Sequence, residues 1–342
     1  MTPSATMQDV AVRVGVHRST VALALRDSPR ISAATRRKVQ EAARLLGYRT
    51  NPLVAALMRN RRTRRTLRHE TIAFVTCHAT PFGWRPPHHD RPDFFPGAVQ
   101  RALELGYNLE HFWLAEPGMS PRRFRDILLA RNVHGVLIGR MPPGLHELEL
   151  PWDPFSVVAL GLTLRSPRFH AVTENHFDTV VQALDRCVAK GYRRIGFVFT
   201  EANDSPRVGA RWLGAYLQYQ HSAPALEPVA VCPGTPSSEA EFGAWFRRER
   251  PDALLVTHAR PVLGWLRALR VDVPREVGLV ELQDNPGHGA AGVYYDPAKI
   301  GALAIETLVG LLYHNETGVP ADPHEVILTG SWREGNTLPG RR

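Results

Sequence analysis

Polar and basic side chains near the N-terminus have the types and spacing that suit contact with nucleic acid. His17, Arg18 and Ser19 follow Gly15 closely and lead into an apolar helical pattern that includes Val21. The forked guanidinium of an arginine can donate two hydrogen bonds to guanine O6 and N7 in the DNA major groove, which is wide enough to admit a helix. These residues therefore predict a helix whose exposed N-terminal end reads bases.

The distribution of charge along the 342 residues supports this interpretation. The first 68 residues contain 15 lysines and arginines against 3 acidic residues, whereas the remaining 274 contain 27 against 30. A basic head on a near-neutral body is typical of a polyanion-binding module joined to another domain. A disordered basic tail has the same composition, but the helical periodicity of the head argues against it.

Three short amphipathic helices would position the candidate side chains. Thr6 is a candidate N-cap of the first helix, and Gly15 suits a turn with positive φ. The second helix is predicted over residues 16–25, and the third runs from its N-cap Ser32 to Leu46. Helix, tight turn and helix form the helix-turn-helix unit. A packing module with an incidental basic surface is the alternative, and it does not explain why charge and turn coincide.

The motifs of this segment resemble those of the LacI/GalR family of bacterial transcription regulators. The resemblance is carried by Thr6-Met-Gln-Asp-Val-Ala, Gly15-Val, Ser19-Thr-Val21, Ser32, Thr35-Arg36, Val39, Leu46-Gly-Tyr48 and Asn51-Pro52. It implies that Arg18 and its neighbours read the major groove and that hydroxyl side chains contact phosphates. It also implies that the segment after residue 50 is a hinge helix with Leu57 wedged into the minor groove. The family often has Ser-Arg where this chain has Ala22-Leu23, so the operator sequence of a relative cannot be assumed for this chain.

The predicted DNA-contacting set combines both arguments. It consists of Thr6, His17, Arg18, Ser19, Thr20, Ala22, Arg26, Arg30, Ser32, Thr35, Asn51 and Leu57. We expect residues 1–50 to form the helix-turn-helix domain, residues 51–68 a hinge helix and basic linker, and residues 69–342 an effector-binding and dimerisation domain. A hinge helix of about nine residues is marginal alone in water, so it should order only against a partner helix or DNA.

Beyond the linker, short apolar runs alternate with amphipathic helical patterns. Strands are predicted at residues 71–76, 109–114, 135–139, 156–160, 194–199, 229–232, 253–256 and 277–281. Strands that alternate with helices indicate parallel sheets covered on both faces, here arranged as two doubly wound α/β lobes behind a small all-α head. Ligands bind beyond the carboxyl ends of such strands, which places a binding crevice between the lobes.

This part of the chain also resembles the family's effector-binding core, which has the type I periplasmic-binding-protein fold. Gly191-Tyr-Arg-Arg-Ile-Gly-Phe-Val, Arg211-Trp-Leu-Gly and Ser331-Trp-Arg-Glu334 carry the resemblance. It implies that Arg211 holds the effector. The candidate effector-binding residues at strand ends and in neighbouring loops are Phe95, Arg140, Glu174, Arg211, His258, Gln283 and Asp296.

Two effector chemistries remain open at these positions. His258-Ala259 stands where the family commonly has Asn-Asp, and Gln283 replaces an aspartate, so acids are lost while Arg140 and Arg211 stay. This pattern favours a carboxylate, a phosphate or a sugar acid. The alternative is a sugar stacked on aromatic faces, for which the proline-rich loop 80–95 offers several rings. We therefore expect a sugar or sugar-derived metabolite and a role in carbohydrate metabolism.

Several other functional classes are disfavoured. No Gly-x-Gly-x-x-Gly, Walker, Gly-x-Ser-x-Gly or His-Glu-x-x-His motif occurs, so we expect neither an enzyme nor a cofactor. His88-His89 beside acids is a weak metal candidate. The sequence has no apolar run of about 18 residues and no secretory signal, so no membrane association and a location in the bacterial cytoplasm, at the nucleoid when bound, are expected.

The expected partners follow from the predicted domains. Two chains would place their reading helices about 34–36 Å apart on a near-palindromic double-stranded operator. A small-molecule effector would switch operator affinity through lobe closure. A solute-binding module of the same core fold, without a regulatory role, is the other function considered, and the basic head argues against it.

Overall fold

The computed structural model describes residues 7–25, 31–46, 70–85, 93–200, 209–234, 237–283 and 289–341. The chain divides into two compact units, Met1–Arg68 and His69–Arg342.

The first unit contains three short helices around a small apolar core. They are α1 (Met7–Val14), α2 (Arg18–Ala24) and α3 (Ala33–Leu45). Val10, Val21 and Val39 are completely buried, one from each helix. Gly15, in the turn between α1 and α2, has a φ of 71°, a conformation that glycine adopts without a steric penalty. The predicted helix-turn-helix arrangement is therefore present in the described residues of the head.

The first lobe of the second unit is built on a six-stranded parallel sheet. Its strands are β1 (Glu70–Thr76), β2 (Tyr107–Trp113), β3 (Gly135–Ile138), β4 (Ser156–Leu160), β5 (His170–Glu174) and β10 (Glu325–Leu328), in the spatial order β10-β5-β4-β3-β1-β2. Helices α4 (Phe95–Glu104), α5 (Pro121–Ala130) and α10 (Pro297–His314) belong to this lobe. Strands β1, β3 and β4 supply apolar side chains to both faces of this sheet, to one core with α4 and α10 and to another with α5.

The second lobe has a five-stranded sheet in the order β11-β9-β8-β7-β6. Its strands are β6 (Ile195–Val198), β7 (Ala253–Val256), β8 (Gly278–Glu281), β9 (Ala291–Tyr294) and β11 (Ser331–Arg333), the last antiparallel to β9. Its helices are α6 (His176–Ala189), α7 (Arg211–Ser222), α8 (Glu239–Glu249) and α9 (Ala259–Ala268). The predicted strand at 229–232 is wrong. Cys232 donates one hydrogen bond to Phe197, and prolines at 228 and 233 remove donors on either side.

The chain passes between the lobes three times, because β5 leads into α6, β9 into α10 and β10 into β11. The two lobes are therefore not two consecutive halves of the chain, and the late elements α10 and β10 return to the first lobe. Among the described residues, no helix combines the length and apolarity needed to cross a lipid bilayer.

Two glycines bring α4 and α10 into backbone contact. A Cβ atom at Gly97 would lie 2.1 Å from the carbonyl oxygen of Ala298, and one at Gly301 would lie 2.0 Å from that of Phe94. Any side chain at either position would force the helices apart. This close approach holds the start of α4, with Phe94, against the carboxyl edge of the first sheet.

Candidate DNA-binding surface and effector crevice

The predicted reading residues lie at the N-terminal end of α2. His17 is the N-cap, and its Nδ1 accepts a hydrogen bond from the Ser19 N–H at 3.3 Å and lies 2.8 Å from the Ser19 hydroxyl. His17, Arg18 and Ser19 are exposed, while Thr20 and Ala22 are half-buried. The inward residues of α2 are Val21 and Ala24, so packing turns the polar residues outward.

Two other predicted phosphate contacts lie at the start of α3. The Ser32 hydroxyl accepts the Thr35 N–H at 3.2 Å and lies 2.9 Å from the Thr35 hydroxyl. This is an N-cap that satisfies one of the first amides of the helix. The remaining amides at an exposed helix N-terminus suit an anion. The predicted contacts Thr6, Arg26, Arg30, Asn51 and Leu57 lie outside the described residues.

In the second unit, Arg140 and Glu174 form an ion pair at the carboxyl edge of the first sheet. Arg140 follows β3, Glu174 ends β5, and Nη2 of the arginine donates to Oε1 of the glutamate at 2.5 Å. The side chains are 16% and 6% exposed. The Arg140 guanidinium carbon lies 4.4 Å from the centre of the Phe94 ring. The aromatic residue beside this pair is Phe94.

The charge state of this pair follows from its surroundings. Burial is the largest single influence and alone would raise the pKa of Glu174, but Arg140, His176 and hydrogen bonds to the carboxylate together outweigh burial and hold the pKa below its ordinary value. The carboxylate is therefore ionised at neutral pH. A pinned guanidinium over an aromatic face, beside an ionised carboxylate, offers both donors and acceptors to the hydroxyl groups of a ligand.

His176, which sequence reasoning missed, links this pair to the second lobe. It begins α6, its Nε2 lies 3.7 Å from Glu174 Oε2, and its ring centre is 5.2 Å from that of Trp212. Burial lowers the pKa of His176 to about 4, so the imidazole is neutral at pH 7. Among the described residues, neither His176 Nδ1 nor Trp212 Nε1 has a hydrogen-bond partner. The available signal was a histidine two residues beyond the strand-end Glu174.

Arg211 begins α7 and points to the opposite lobe. Its two terminal nitrogens lie 2.8 and 2.9 Å from the two carboxylate oxygens of Glu325, the first residue of β10. The side chains are 35% and 39% exposed. The guanidinium that the resemblance assigns to the effector is thus paired with a carboxylate of this chain.

The other candidates lie at the edge of the second sheet and at a crossing point. The His258 N–H donates to the Thr200 hydroxyl at 3.1 Å, and the next amide, that of Ala259, donates to the buried Glu281 at 2.9 Å. Gln283 is half-buried, two residues beyond β8. Asp296 lies between β9 and α10, where its carboxylate accepts the Ala298 N–H at 3.0 Å. Asp296 is therefore an N-cap in this structure.

Phe95 belongs to an aromatic cluster on the first lobe. Its ring centre lies 5.0 Å from that of Phe74 and 5.3 Å from that of Trp84, and the Arg85 guanidinium lies 5.7 Å from it. Of the seven effector candidates, Arg140 and Glu174 are the two joined by a contact that the structure describes. His176 connects this pair to Trp212, the residue next to Arg211 in the chain.

The described residues contain no group of three or more histidine, cysteine, aspartate or glutamate side chains arranged to hold a metal ion. The candidate His88-His89 lies outside them. Cys77, Cys187 and Cys232 are buried and unpaired with one another.

Comparison with known proteins agrees with both parts of the chain. The family of bacterial regulatory proteins of the lacI type matches residues 6–51, and the periplasmic binding protein-like domain matches residues 184–338. The HTH-type transcriptional repressor CytR of Escherichia coli (strain K12) is 26% identical over 199 residues, which cover 57% of this chain and 53% of CytR. The match thus spans about half of that relative. The HTH-type transcriptional regulator AscG of the same strain is 26% identical over 289 residues, 82% of each chain.

Solved structures show the same fold over nearly the whole chain. The transcriptional regulator CelR in complex with cellobiose has a TM-score of 0.57 at 21% identity and covers 97% of this chain and 99% of its own. The lac repressor dimer bound to operator and the anti-inducer ONPF has a TM-score of 0.56 at 19% identity and covers 98% and 100%. The predicted fold, an all-α head with a two-lobed α/β core, is confirmed. The head of this chain, residues 6–51, thus matches the lacI family of bacterial regulatory proteins, and its core matches the periplasmic binding protein-like domain over residues 184–338.

Proposed function

We propose that this protein is a sequence-specific DNA-binding transcription regulator, a repressor, whose operator affinity is switched by a small effector bound between the lobes. The observation that carries the proposal is the exposed N-terminal end of α2, with Arg18, on a head that holds 15 of the chain's 42 lysines and arginines. A solute carrier of the same core fold needs no such head. The proposed location of the protein is the bacterial cytoplasm. Its proposed role is regulatory and not enzymatic.

On DNA, α2 lies in the major groove, where Arg18 donates to guanine and its neighbours contact adjacent bases. Ser19, Thr20, Ser32 and Thr35 bind phosphates, which position the helix without specifying sequence. We propose the division into residues 1–50, 51–68 and 69–342, with the middle segment ordering on DNA. Two chains form a homodimer on a near-palindromic operator, an arrangement supported by the lac repressor dimer described above.

The effector in this proposal is a sugar or a sugar-derived metabolite. We propose that eight residues contact the effector: Phe95, Arg140, Glu174, His176, Arg211, His258, Gln283 and Asp296. Support comes from the Arg140–Glu174 pair, whose charged groups form strong hydrogen bonds with hydroxyls, and from the cellobiose held by the similar regulator. Because the effector acts only through different affinities for two lobe arrangements, a coupling of about 1–3 kcal/mol changes operator affinity about 5–150-fold.

The proposal is tested by selecting fragments of genomic DNA with the full-length protein and measuring affinity by fluorescence anisotropy. Arg18→Ala should weaken binding to a selected site by about 1–3 kcal/mol and relax base preference there. Arg44→Ala, which removes an equal charge from an exposed position on α3, is the matched control and should retain base preference. A protein that prefers no fragment over random competitor would refute the regulator. An equal loss on all sequences would make Arg18 a phosphate contact.

A further inference from the structure

An ion pair between the lobes occupies the arginine that the proposed function assigns to the effector. Arg211 lies on α7 of the second lobe and Glu325 on the edge strand β10 of the first; Nη2 of the arginine donates to Oε1 of the glutamate at 2.9 Å, and Nη1 lies 2.8 Å from Oε2. Such fork-to-fork geometry is the strongest form of arginine–carboxylate recognition. Both side chains are more than one-third exposed, so water screens the pair and it opens at little cost.

The charges around this pair are balanced while it is closed. Arg140 is neutralised by the buried carboxylate of Glu174, and His176 is neutral at pH 7. Arg211 is neutralised by Glu325. If Glu325 leaves, the cluster of these five residues gains one uncompensated positive charge, located at Arg211. The two pairs differ in accessibility, because the side chain of Glu174 is 6% exposed and that of Glu325 is 39% exposed. Glu325 is therefore the carboxylate that a ligand can displace.

We propose that Glu325 competes with the effector for Arg211, and that the effector is a polyhydroxylated monoacid whose carboxylate takes the place of Glu325. The inference rests on the proposed function and narrows its effector class. A carboxylate can take over both contacts of the guanidinium and the charge balance at Arg211, whereas neutral hydroxyls supply hydrogen bonds without the charge. The ligand's hydroxyls then reach the Arg140–Glu174 pair.

A series of contacts leads from the neighbour of Arg211 to the Arg140–Glu174 pair. Trp212 adjoins Arg211 in the chain, and its ring centre is 5.2 Å from that of His176, which itself lies 3.7 Å from Glu174. Trp212 Nε1 is a buried donor without a partner among the described residues, and it suits a ligand hydroxyl. Exchange of Glu325 for the ligand also removes the ion pair between the lobes, which gives the ligand different affinities for the paired and unpaired arrangements.

The first experiment asks whether the pair forms in solution. Thermal unfolding of the full-length wild type, Arg211→Ala, Glu325→Gln and the double variant gives the coupling between the two side chains. We expect the double variant to be destabilised by less than the sum of the two single changes. The difference, which is the coupling energy of the ion pair, should decrease at high salt. If the two single changes lower stability by amounts that add up to the effect of the double variant, the proposal is overturned, because Glu325 and Arg211 then do not interact in solution.

The second experiment uses defined probes with the full-length protein and titration calorimetry. The six-carbon uronic and aldonic acids are compared with the corresponding neutral aldoses and alditols. We expect one or more of the acids to bind. Glu325→Gln should bind these acids about two- to fivefold more tightly, because the wild type must first break an exposed ion pair of that strength. Glu227→Gln is the matched control, because Glu227 pairs with Arg194 at 2.7 Å within the second lobe.

Three results would overturn the proposal: binding of the neutral sugars without their acids, no binding of any acid, or equal acid affinities of the wild type and Glu325→Gln. Operator binding without any added sugar is measured in parallel. If it persists while the sugar results fail, only the assignment of Glu325 and the acid effector is wrong. If sequence-specific DNA binding is itself lost, the regulator is wrong.

Discussion

The buried imidazole of His176 makes a specific prediction about stability and pH. The residue is 4% exposed, it lies beside the ionised Glu174, and it packs edge-on against Trp212. Burial disfavours the imidazolium more than the neighbouring carboxylate favours it, so the pKa falls from the ordinary 6.5 to about 4. In the unfolded chain no such burial exists, and the same histidine titrates near its ordinary value.

The sign of the effect follows from the proton balance. Between pH 6.5 and about 4 the unfolded chain binds a proton at His176 that the folded chain does not, so acidification favours unfolding. One unit of pKa difference corresponds to about 1.4 kcal/mol, and the shift therefore amounts to about 3 kcal/mol of stability. This contribution is fully present above pH 6.5, declines as pH falls, and is exhausted near the folded-state pKa of about 4.

Urea unfolding of the full-length protein and of His176→Asn, followed from pH 7.5 to 4.5, measures this contribution. The variant loses packing against Trp212 at every pH, so its stability is lower but less dependent on pH. The informative quantity is the difference between the two free energies of unfolding, which we expect to shrink by about 2–3 kcal/mol over this range. His221→Asn, at an exposed position on α7, is the control and should run parallel to the wild type. A constant difference for His176→Asn would refute the reasoning.

Three further changes test other parts of the structure. Glu174→Gln leaves the buried guanidinium of Arg140 without its counter-charge and should cost about 3–5 kcal/mol in urea unfolding, much of it recovered by adding Arg140→Met. Gly301→Ala places a methyl group 2.0 Å from a carbonyl oxygen at the start of α4 and should lower the thermal midpoint markedly. Gly310→Ala on the same helix, with no atom within 4 Å, should not. Ser32→Ala removes the α3 N-cap and should destabilise the head by about 1 kcal/mol by calorimetry.

The head was readable from sequence because its signals are local. Gly15 marks the turn, Ser32 marks the start of α3, and the spacing of Val10, Val21 and Val39 identifies the packed faces. The predicted helices agree with α2 and α3 to within two residues at each end. In the core, the apolar strands β1, β3, β4, β6, β7 and β8 were predicted for the same reason.

Elements near the crossings between lobes were harder to predict. Strand β5 has the sequence His-Ala-Val-Thr-Glu, and its polar residues are buried because the strand lies between β10 and β4 within the first sheet. The 18-residue helix α10 and strands β9, β10 and β11 were not predicted. Their assignment depends on which lobe they join, and α10 joins the first lobe through backbone contacts that only Gly97 and Gly301 permit.

For the candidate site, the sequence by itself determined which residues stand at strand ends, because a strand, a turn and a helix each have a short-range pattern. It placed Arg140 directly after a predicted strand, whereas Arg211 was identified through the family resemblance. Only the tertiary structure decided that Glu174 neutralises Arg140 and that Glu325, 114 residues beyond Arg211 in the chain, neutralises Arg211. The pKa and availability of a charged group depend on burial and on partners distant in the chain, and these are set when the lobes pack.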